Sequence, residues 1–184
     1  MKRRTALKGI VLFSLGTGII YSCADRYEAI RNLGLKYFTP KDKELDLLDS
    51  MVKSIVPFHK ISGLENHTSL PLLFTMLDDV YKEKDRNDFM FGYQNIGTFI
   101  EQEYGKSFNR LDEEQQKVLI GRLNDGDQKL DEKYLAFYSI LKNESLRYFR
   151  SSEYYQRKVN YYEMAPGRFN GDVLISELKN RNEI

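Results

Sequence analysis

Residues 131–149, DEKYLAFYSILKNESLRYF, carry a long helical pattern that decides the fold class of the chain. Mostly apolar side chains recur there at intervals of three or four residues, the spacing that lines up one face of an α-helix. The residues on this face are Leu135, Tyr138, Leu141, Ser145 and Phe149. We therefore predict an amphipathic helix over 131–149 with this face turned inward.

The same period recurs on both sides of this stretch. Helical patterns precede it at 41–56, 71–84, 87–104 and 112–123, and a short one follows at 153–159. Their inward positions are Leu45, Leu48, Val52, Ile55, Leu73, Met76, Leu77, Val80, Phe89, Ile96, Phe99, Ile100, Val118, Leu119 and Leu123. Long alternations of Val, Ile and Thr are missing from the sequence, so it predicts an all-α fold, a small irregular helical bundle over 41–184.

Start and stop signals support these boundaries. Pro71 suits the first turn of a helix, where its missing N–H costs nothing, and Gly105 suits a C-terminal cap. Asp112 and Gln115 have the spacing of an N-terminal capping box. Acidic and basic residues crowd 82–86, which we interpret as a solvated turn between two helices.

Candidate catalytic and metal-binding residues are few. His59 and His67 lie in one predicted loop, eight residues apart, and match no zinc-ligand spacing, so we predict exposed loop histidines. The pairs Asp78-Asp79 and Glu113-Glu114 are adjacent, and neighbouring side chains diverge on a helix. We interpret both pairs as solvated faces and predict no catalytic residue and no metal site.

The first 22 residues have the composition of an export signal. Four basic residues and no acidic one precede a mostly apolar run at 9–20, which is shorter than the roughly 20 residues that span a bilayer. The sequence favours a signal peptide over 1–22, followed by a tether or loosely packed first helix at 23–40. A buried N-terminal helix and an uncleaved anchor are the alternatives.

Two details refine this interpretation. Arg3-Arg4 followed by TALK resembles a twin-arginine export signal, with Ala6 where an aromatic residue is usual. The run then ends in IYSC, which is similar to a bacterial lipobox, so Cys23 is the candidate lipidation site. A twin-arginine route carries folded cargo, although the basic head would also suit the general export route.

Composition excludes several functions. Removing residues 1–22 takes away four of the 28 basic residues and none of the 27 acidic ones, leaving a charge of about −3. No basic field is left for nucleic acid. Cys23 is the only cysteine, which excludes disulfides, attached haem, iron–sulfur clusters and a cysteine nucleophile within the chain.

The C-terminal tail departs from the helical pattern. Pro166-Gly167 is a strong turn signal, and the aromatic residues Tyr161, Tyr162 and Phe169 flank it, with Arg168 between turn and Phe169. Such a Pro-Gly aromatic loop either covers the core of its own domain or offers an aromatic surface to a partner.

Three segments together resemble the gluconate 2-dehydrogenase subunit 3 family. The first is RRTALK at 3–8. The second is MVKSIVP at 51–57, followed after a loop by Leu70-Pro71. The third and most specific is YFRSSE at 148–153, leading to Tyr161-Tyr162 and to PGRFNG at 166–171.

The resemblance implies an accessory function. Members of this family are small exported helical proteins that accompany a large flavoprotein of the glucose-methanol-choline oxidoreductase type, which oxidises a sugar or polyol. It implies FAD in that large subunit and no cofactor in this chain, with a cytochrome c subunit as a further candidate partner. Arg3 and Arg4 would direct export, and lipidated Cys23 would hold the protein on the periplasmic side of a bacterial membrane. Residues 161, 162 and 166–169 would bind the partner.

Two other function classes stay open. A free-standing lipoprotein could bind carbohydrate through its tyrosines, because aromatic faces stack on sugar rings and the chain has 13 Tyr. An enzyme in its own right is the third class. It finds little support, because the sequence has no dinucleotide-binding fingerprint and no convergent carboxylates.

Overall fold

The computed structural model describes residues 27–160 and 162, and every regular element in this part of the chain is helical. The α-helices are α1 (Glu28–Arg31), α2 (Asp42–Ile55), α3 (Leu70–Asp79), α4 (Glu83–Tyr104), α5 (Glu113–Asp125) and α6 (Glu132–Ser151). Short 3₁₀ turns lie at Phe58–Lys60 and Phe108–Arg110, and a π-helical turn lies at Tyr155–Val159. The all-α prediction is confirmed for the described residues.

Helix α6, the predicted central helix, packs against α2, α3, α4 and α5. Its side chains Phe137, Tyr138, Leu141 and Ser145 are buried, while Leu135 and Phe149 are half-buried at the edge of the core. The inward face is therefore broader than the predicted stripe, because neighbours surround α6 on several sides.

The closest approach in the core joins α4 to α6. Gly92 of α4 lies directly against Phe137 of α6: a Cβ at Gly92 would come within 2.3 Å of the Cβ of Phe137. The Phe137 ring in turn packs on Phe89, with 5.1 Å between ring centroids. Only glycine leaves room for this crossing, and the backbones approach more closely than any side chain at residue 92 would permit.

The capping residues predicted from the sequence lie at the ends of α4 and α5. Asp112 accepts a hydrogen bond from the N–H of Gln115 at 2.8 Å, and the Gln115 side chain accepts one from the N–H of Asp112, which confirms the capping box. Gly105 and Gly126 end α4 and α5 in the left-handed region, with φ of +68° and +72°.

The boundary between α3 and α4 was wrongly predicted. Helix α3 ends at Asp79 and α4 already begins at Glu83, so the charged segment 82–86 is mostly the first turn of α4 and not a loop. Acidic residues there suit the positive end of the helix dipole.

Two valines predicted to face inward are exposed. Val80 follows the last turn of α3 and is 63% exposed. Val118 was also expected inward and is exposed.

Residues 27–38 pack on the bundle. Tyr27, Ile30 and Phe38 are buried in the common core, and the Phe38 ring contacts the rings of Phe74 and Phe89. The sequence predicted a tether or a loosely packed first helix at 23–40. Its described part belongs to the packed domain, because its three large apolar side chains cover the end of the core.

Asp78 fastens this segment. Its carboxylate accepts hydrogen bonds from the backbone N–H groups of Lys36 and Tyr37 at 3.0–3.1 Å and is 8% exposed. We call this arrangement the Asp78 clasp. The prediction of a solvated Asp78-Asp79 face was wrong for Asp78, since its partners lie 41 and 42 residues earlier in the chain. Asp79 is exposed, as predicted.

Gly92→Ala should destabilise the protein. The added methyl overlaps Phe137, and overpacking of this kind costs about 1–3 kcal/mol, more than the roughly 1 kcal/mol that alanine gains over glycine in a helix. Gly121→Ala in α5 is the matched control, because a Cβ there has no atom within 4 Å and should be neutral or stabilising. Urea unfolding followed by circular dichroism measures both. A Gly92→Ala protein as stable as the parent would contradict the assigned crossing.

Candidate functional site

A cleft opens where the loop after α2 meets the end of α6. Its volume is about 540 Å³. We call it the C-terminal cleft, and the residues that line it are Ser62, Gly63, Leu64, His67, Tyr148, Ser151, Ser152, Glu153, Tyr154, Arg157 and Lys158. Lys158, the last of these residues in the chain, precedes Tyr161, the first residue predicted to bind a partner, by three positions.

Tyr148 lines the cleft, and aromatic rings pack behind it. The buried Phe58 ring meets the Tyr148 ring edge-to-face at 5.8 Å and the Phe149 ring at 6.2 Å. Such pairs hold the loop after Pro57 against the last turns of α6. Burial raises the pKa of Tyr148, and its hydroxyl lies 2.9 Å from Nδ1 of His67.

The last turn of the described chain is fixed by local hydrogen bonds. Ser152 donates its hydroxyl proton to the carbonyl oxygen of Phe149, and its Oγ accepts from the N–H of Tyr155 at 3.2 Å. The N–H of Tyr162 donates to the carbonyl oxygen of Gln156 at 2.8 Å. These contacts fix the backbone at the end of the described chain.

Charge in the C-terminal cleft is mixed. Glu153 and Arg157 form an exposed ion pair at 3.1 Å, and Lys158 adds one further positive charge. Glu65, beside the cleft, has a pKa below its ordinary value because backbone N–H groups, its own and that of Gly63, donate to its carboxylate. The surface therefore offers rings, hydroxyls and balanced charge, which are the groups of a polar protein interface.

This chemistry does not form a catalytic constellation. The described hydrogen bond of His67 goes to a tyrosine and not to a serine that it could activate. Among residues 27–160, no three His, Cys, Asp or Glu side chains are grouped to hold a metal ion. His59 and His67 are exposed, as the sequence predicted, although the bond from His67 to Tyr148 was not foreseen.

A second, smaller cleft of about 260 Å³ lies between α2 and α4. Tyr93 lines it, and burial together with a hydrogen bond to Glu44 raises the pKa of this tyrosine strongly. Gly97 stands close to Leu47 at its base, where a Cβ would lie 3.3 Å from Leu47 Cδ2. Its walls offer no nucleophile paired with a base, and we assign it no role.

One buried carboxylate lies outside both clefts. Glu144 of α6 is 2% exposed, and its Oε1 accepts a hydrogen bond from the Tyr81 hydroxyl at 2.8 Å. Its Oε2 accepts none and lies 3.6 Å from the Arg147 guanidinium. Glu144 lines neither cleft, and its bond to Tyr81 joins α6 to the segment after α3, so we interpret it as a structural residue.

The predicted site residues fall mostly outside the described part of the chain. Tyr162 is described and is 56% exposed, and its N–H bonds to Gln156, the residue before the cleft residue Arg157. Tyr161, Pro166, Gly167, Arg168 and Phe169 lie outside the described residues, and so do Arg3, Arg4 and Cys23. The sequence did not predict the cleft, because its lining comes from a loop and a helix end about 80 residues apart.

Comparison with known proteins gives one match. The family model described as "Gluconate 2-dehydrogenase subunit 3" matches residues 42–167, more than half of the chain. No curated protein and no solved structure matched. The match begins at the first residue of α2 and runs past Tyr162 into the Pro-Gly turn.

Tyr81 should make stability depend on alkaline pH. Burial, and then its hydrogen bond to Glu144, raises the pKa of Tyr81 from 10 to about 12. A raised folded-state pKa gives stability that is present below pH 10 and is lost as the pH rises through 12. Tyr81→Phe should cost about 1–3 kcal/mol at neutral pH, because Glu144 loses its donor.

The difference between the parent and Tyr81→Phe should therefore shrink from pH 10 to pH 12. Urea unfolding at a series of pH values measures it. Tyr37→Phe, which changes a tyrosine that is 55% exposed, is the control and should follow the parent curve. A difference that stays constant with pH would contradict the bond to Glu144.

Proposed function

This chain belongs to the gluconate 2-dehydrogenase subunit 3 family, and we propose that it is the non-catalytic small subunit of an exported dehydrogenase complex. Its role would be to bind, co-export and tether to the membrane a large flavoprotein of the glucose-methanol-choline type that oxidises a sugar or polyol. The observation that carries the proposal is the family match over 42–167.

The geometry supports a binding role for the end of the chain. Tyr162 has an exposed ring, and its N–H bonds to Gln156, which lies in the chain between the cleft residues Tyr154 and Arg157. Protein interfaces draw most of their affinity from a few buried aromatic and arginine side chains. We place Tyr161, Tyr162, Arg168 and Phe169 among them, with Pro166-Gly167 setting the turn.

The export part of the proposal is drawn from the sequence. Arg3 and Arg4 would direct the folded chain, with its partner bound, to the twin-arginine route. Cys23 would then be lipidated on the periplasmic side of the membrane. Within the described residues no helix is long and apolar enough to span a bilayer.

The flavin belongs to the large subunit in this proposal. FAD would take the electrons of the sugar there, and a cytochrome c subunit could accept them afterwards. This chain would affect oxidation only through the amount and location of the complex. Nothing in its sequence resembles a dinucleotide-binding loop.

Purification of the native protein tests the proposal. Mild solubilisation of the membrane fraction and capture of this chain should yield a large second chain in fixed ratio, together with flavin absorbance. The substrate preference of that complex would then identify the sugar. A clean protein without a partner or flavin, from cells shown to express it, would refute the accessory role. Saccharide binding by such a protein would support the free-standing carbohydrate-binding lipoprotein.

Tyr162→Ala in the full chain should weaken assembly. Truncation of an aromatic side chain at an interface costs about 2 kcal/mol or more, so the yield of the complex should fall by at least about tenfold at limiting concentration. The matched control is Val118→Ala on α5, which truncates an apolar side chain of similar exposure, 49% against 56%, in a distant part of the sequence. Co-purification of the large chain and thermal unfolding are measured together.

If a folded Tyr162→Ala protein assembles as well as the parent, the tail is not part of the interface. Equal losses with Val118→Ala would show that truncating any exposed apolar side chain has the same effect, and the assignment to the tail would fail.

A further inference from the structure

A second exposed apolar surface lies at the other terminus of the described chain. Leu33 is 38% exposed, Tyr37 is 55% exposed and Val80 is 63% exposed. Three large apolar side chains with this exposure lie in two short neighbouring segments, whereas single scattered ones are ordinary. We call these three residues the α1–α3 patch.

The Asp78 clasp holds the two segments of the patch together. The Asp78 carboxylate binds the N–H of Tyr37, and Val80 follows two residues after it. The Lys36 ammonium lies 3.6 Å from Asp79, and the Arg86 guanidinium stacks 3.7 Å above the Tyr37 ring. The patch is thus a fixed surface of the domain, and cations lie beside its ring.

Charge around the patch is close to balanced. Residues 27–37 and 78–88 contain five basic and six acidic side chains. Such a surface has no field to attract nucleic acid or anionic headgroups. Any affinity it has must come from its apolar side chains and from the tyrosine, which suits a boundary between water and hydrocarbon.

The distance to Cys23 indicates what the patch meets. Tyr27 is buried, and it follows Cys23 by four residues, a span of at most about 14 Å. Leu33 lies two residues beyond the end of α1, which itself has four residues. A lipid on Cys23 would therefore keep the patch close to the bilayer surface at a high effective concentration.

We propose that the α1–α3 patch is the membrane-contacting surface of the anchored protein, with Leu33, Tyr37 and Val80 seated in the interfacial layer of the bilayer. This inference rests on the proposed lipid anchor at Cys23. The anchor supplies retention, and the patch sets the orientation of the domain on the membrane. Because the local charge is balanced, contact should not require anionic lipid and should persist in high salt.

Site-specific quenching tests the proposal on the full lipidated chain. The lipid occupies the thiol of Cys23, the only cysteine, so an introduced cysteine is the sole labelling site. Leu33→Cys and Val80→Cys proteins are labelled with a polarity-sensitive fluorophore in phosphatidylcholine–phosphatidylethanolamine vesicles. Val118→Cys on α5, which is 49% exposed, is the matched control. Thermal unfolding confirms that each variant is folded.

The expected result is loss of emission at positions 33 and 80 with nitroxide-labelled lipid and resistance there to aqueous iodide. Position 118 should show the reverse pattern, and high salt should change neither. If iodide quenches all three positions although the N-terminal peptide carries lipid, the membrane-contact inference fails and the proposed anchor stands. If the N-terminal peptide carries no lipid, the proposed anchor fails as well.

Protection of positions 33 and 80 that appears only with the large subunit bound would assign the patch to a protein interface and overturn the membrane assignment. The Cys23→Ala chain completes the series. It should leave the vesicles, since three side chains without an anchor give weak attachment. Retention of that chain would show that the anchor is not needed.

Discussion

The crossing of α4 over α6 at Gly92 and Phe137 is the contact on which the rest of this fold depends. A glycine at that point lets two of the longest helices approach until backbone meets the base of a phenylalanine side chain. Phe89 and Tyr93 then stack beside Phe137 and Phe74 in one aromatic cluster. Helices α2, α3 and α5 fill the remaining sides of α6. Two surfaces result, a cleft at the end of α6 and a patch beside α1.

The sequence predicted those features that depend on neighbours in the chain. Periods of 3.6 residues located the helices, and Asp112 with Gln115 gave the start of α5 because both halves of the box lie within one turn. Gly105 gave the end of α4 for the same reason. The family resemblance rested on specific short segments, and the match over 42–167 confirms it.

Features that depend on distant residues were missed. The sequence predicted a solvated Asp78-Asp79 pair, because the N–H groups of Lys36 and Tyr37 that bind Asp78 lie far from it in the sequence. The charges at 82–86 suit a solvated turn and the first turn of a helix equally well, so the start of α4 was misplaced. His67 and Tyr148 meet across 81 residues, and a cleft built on such a pair has no linear signature. Cys23 and the tail residues other than Tyr162 lie outside the described chain, and the roles of all of them stay predictions.

Helix α3 has a consequence for how the two surfaces communicate. Its N-cap is Ser69, whose hydroxyl lies 3.1 Å from that of Ser145, one turn of α6 before the cleft residue Tyr148, and its last turn contains the Asp78 clasp. Ten residues of helix form a rigid rod about 15 Å long. A shift of this rod at one end would be carried to the other end. Thermodynamic linkage then makes the effect reciprocal: a partner whose binding displaces α3 alters contact at the patch by the same free energy by which that contact alters partner affinity.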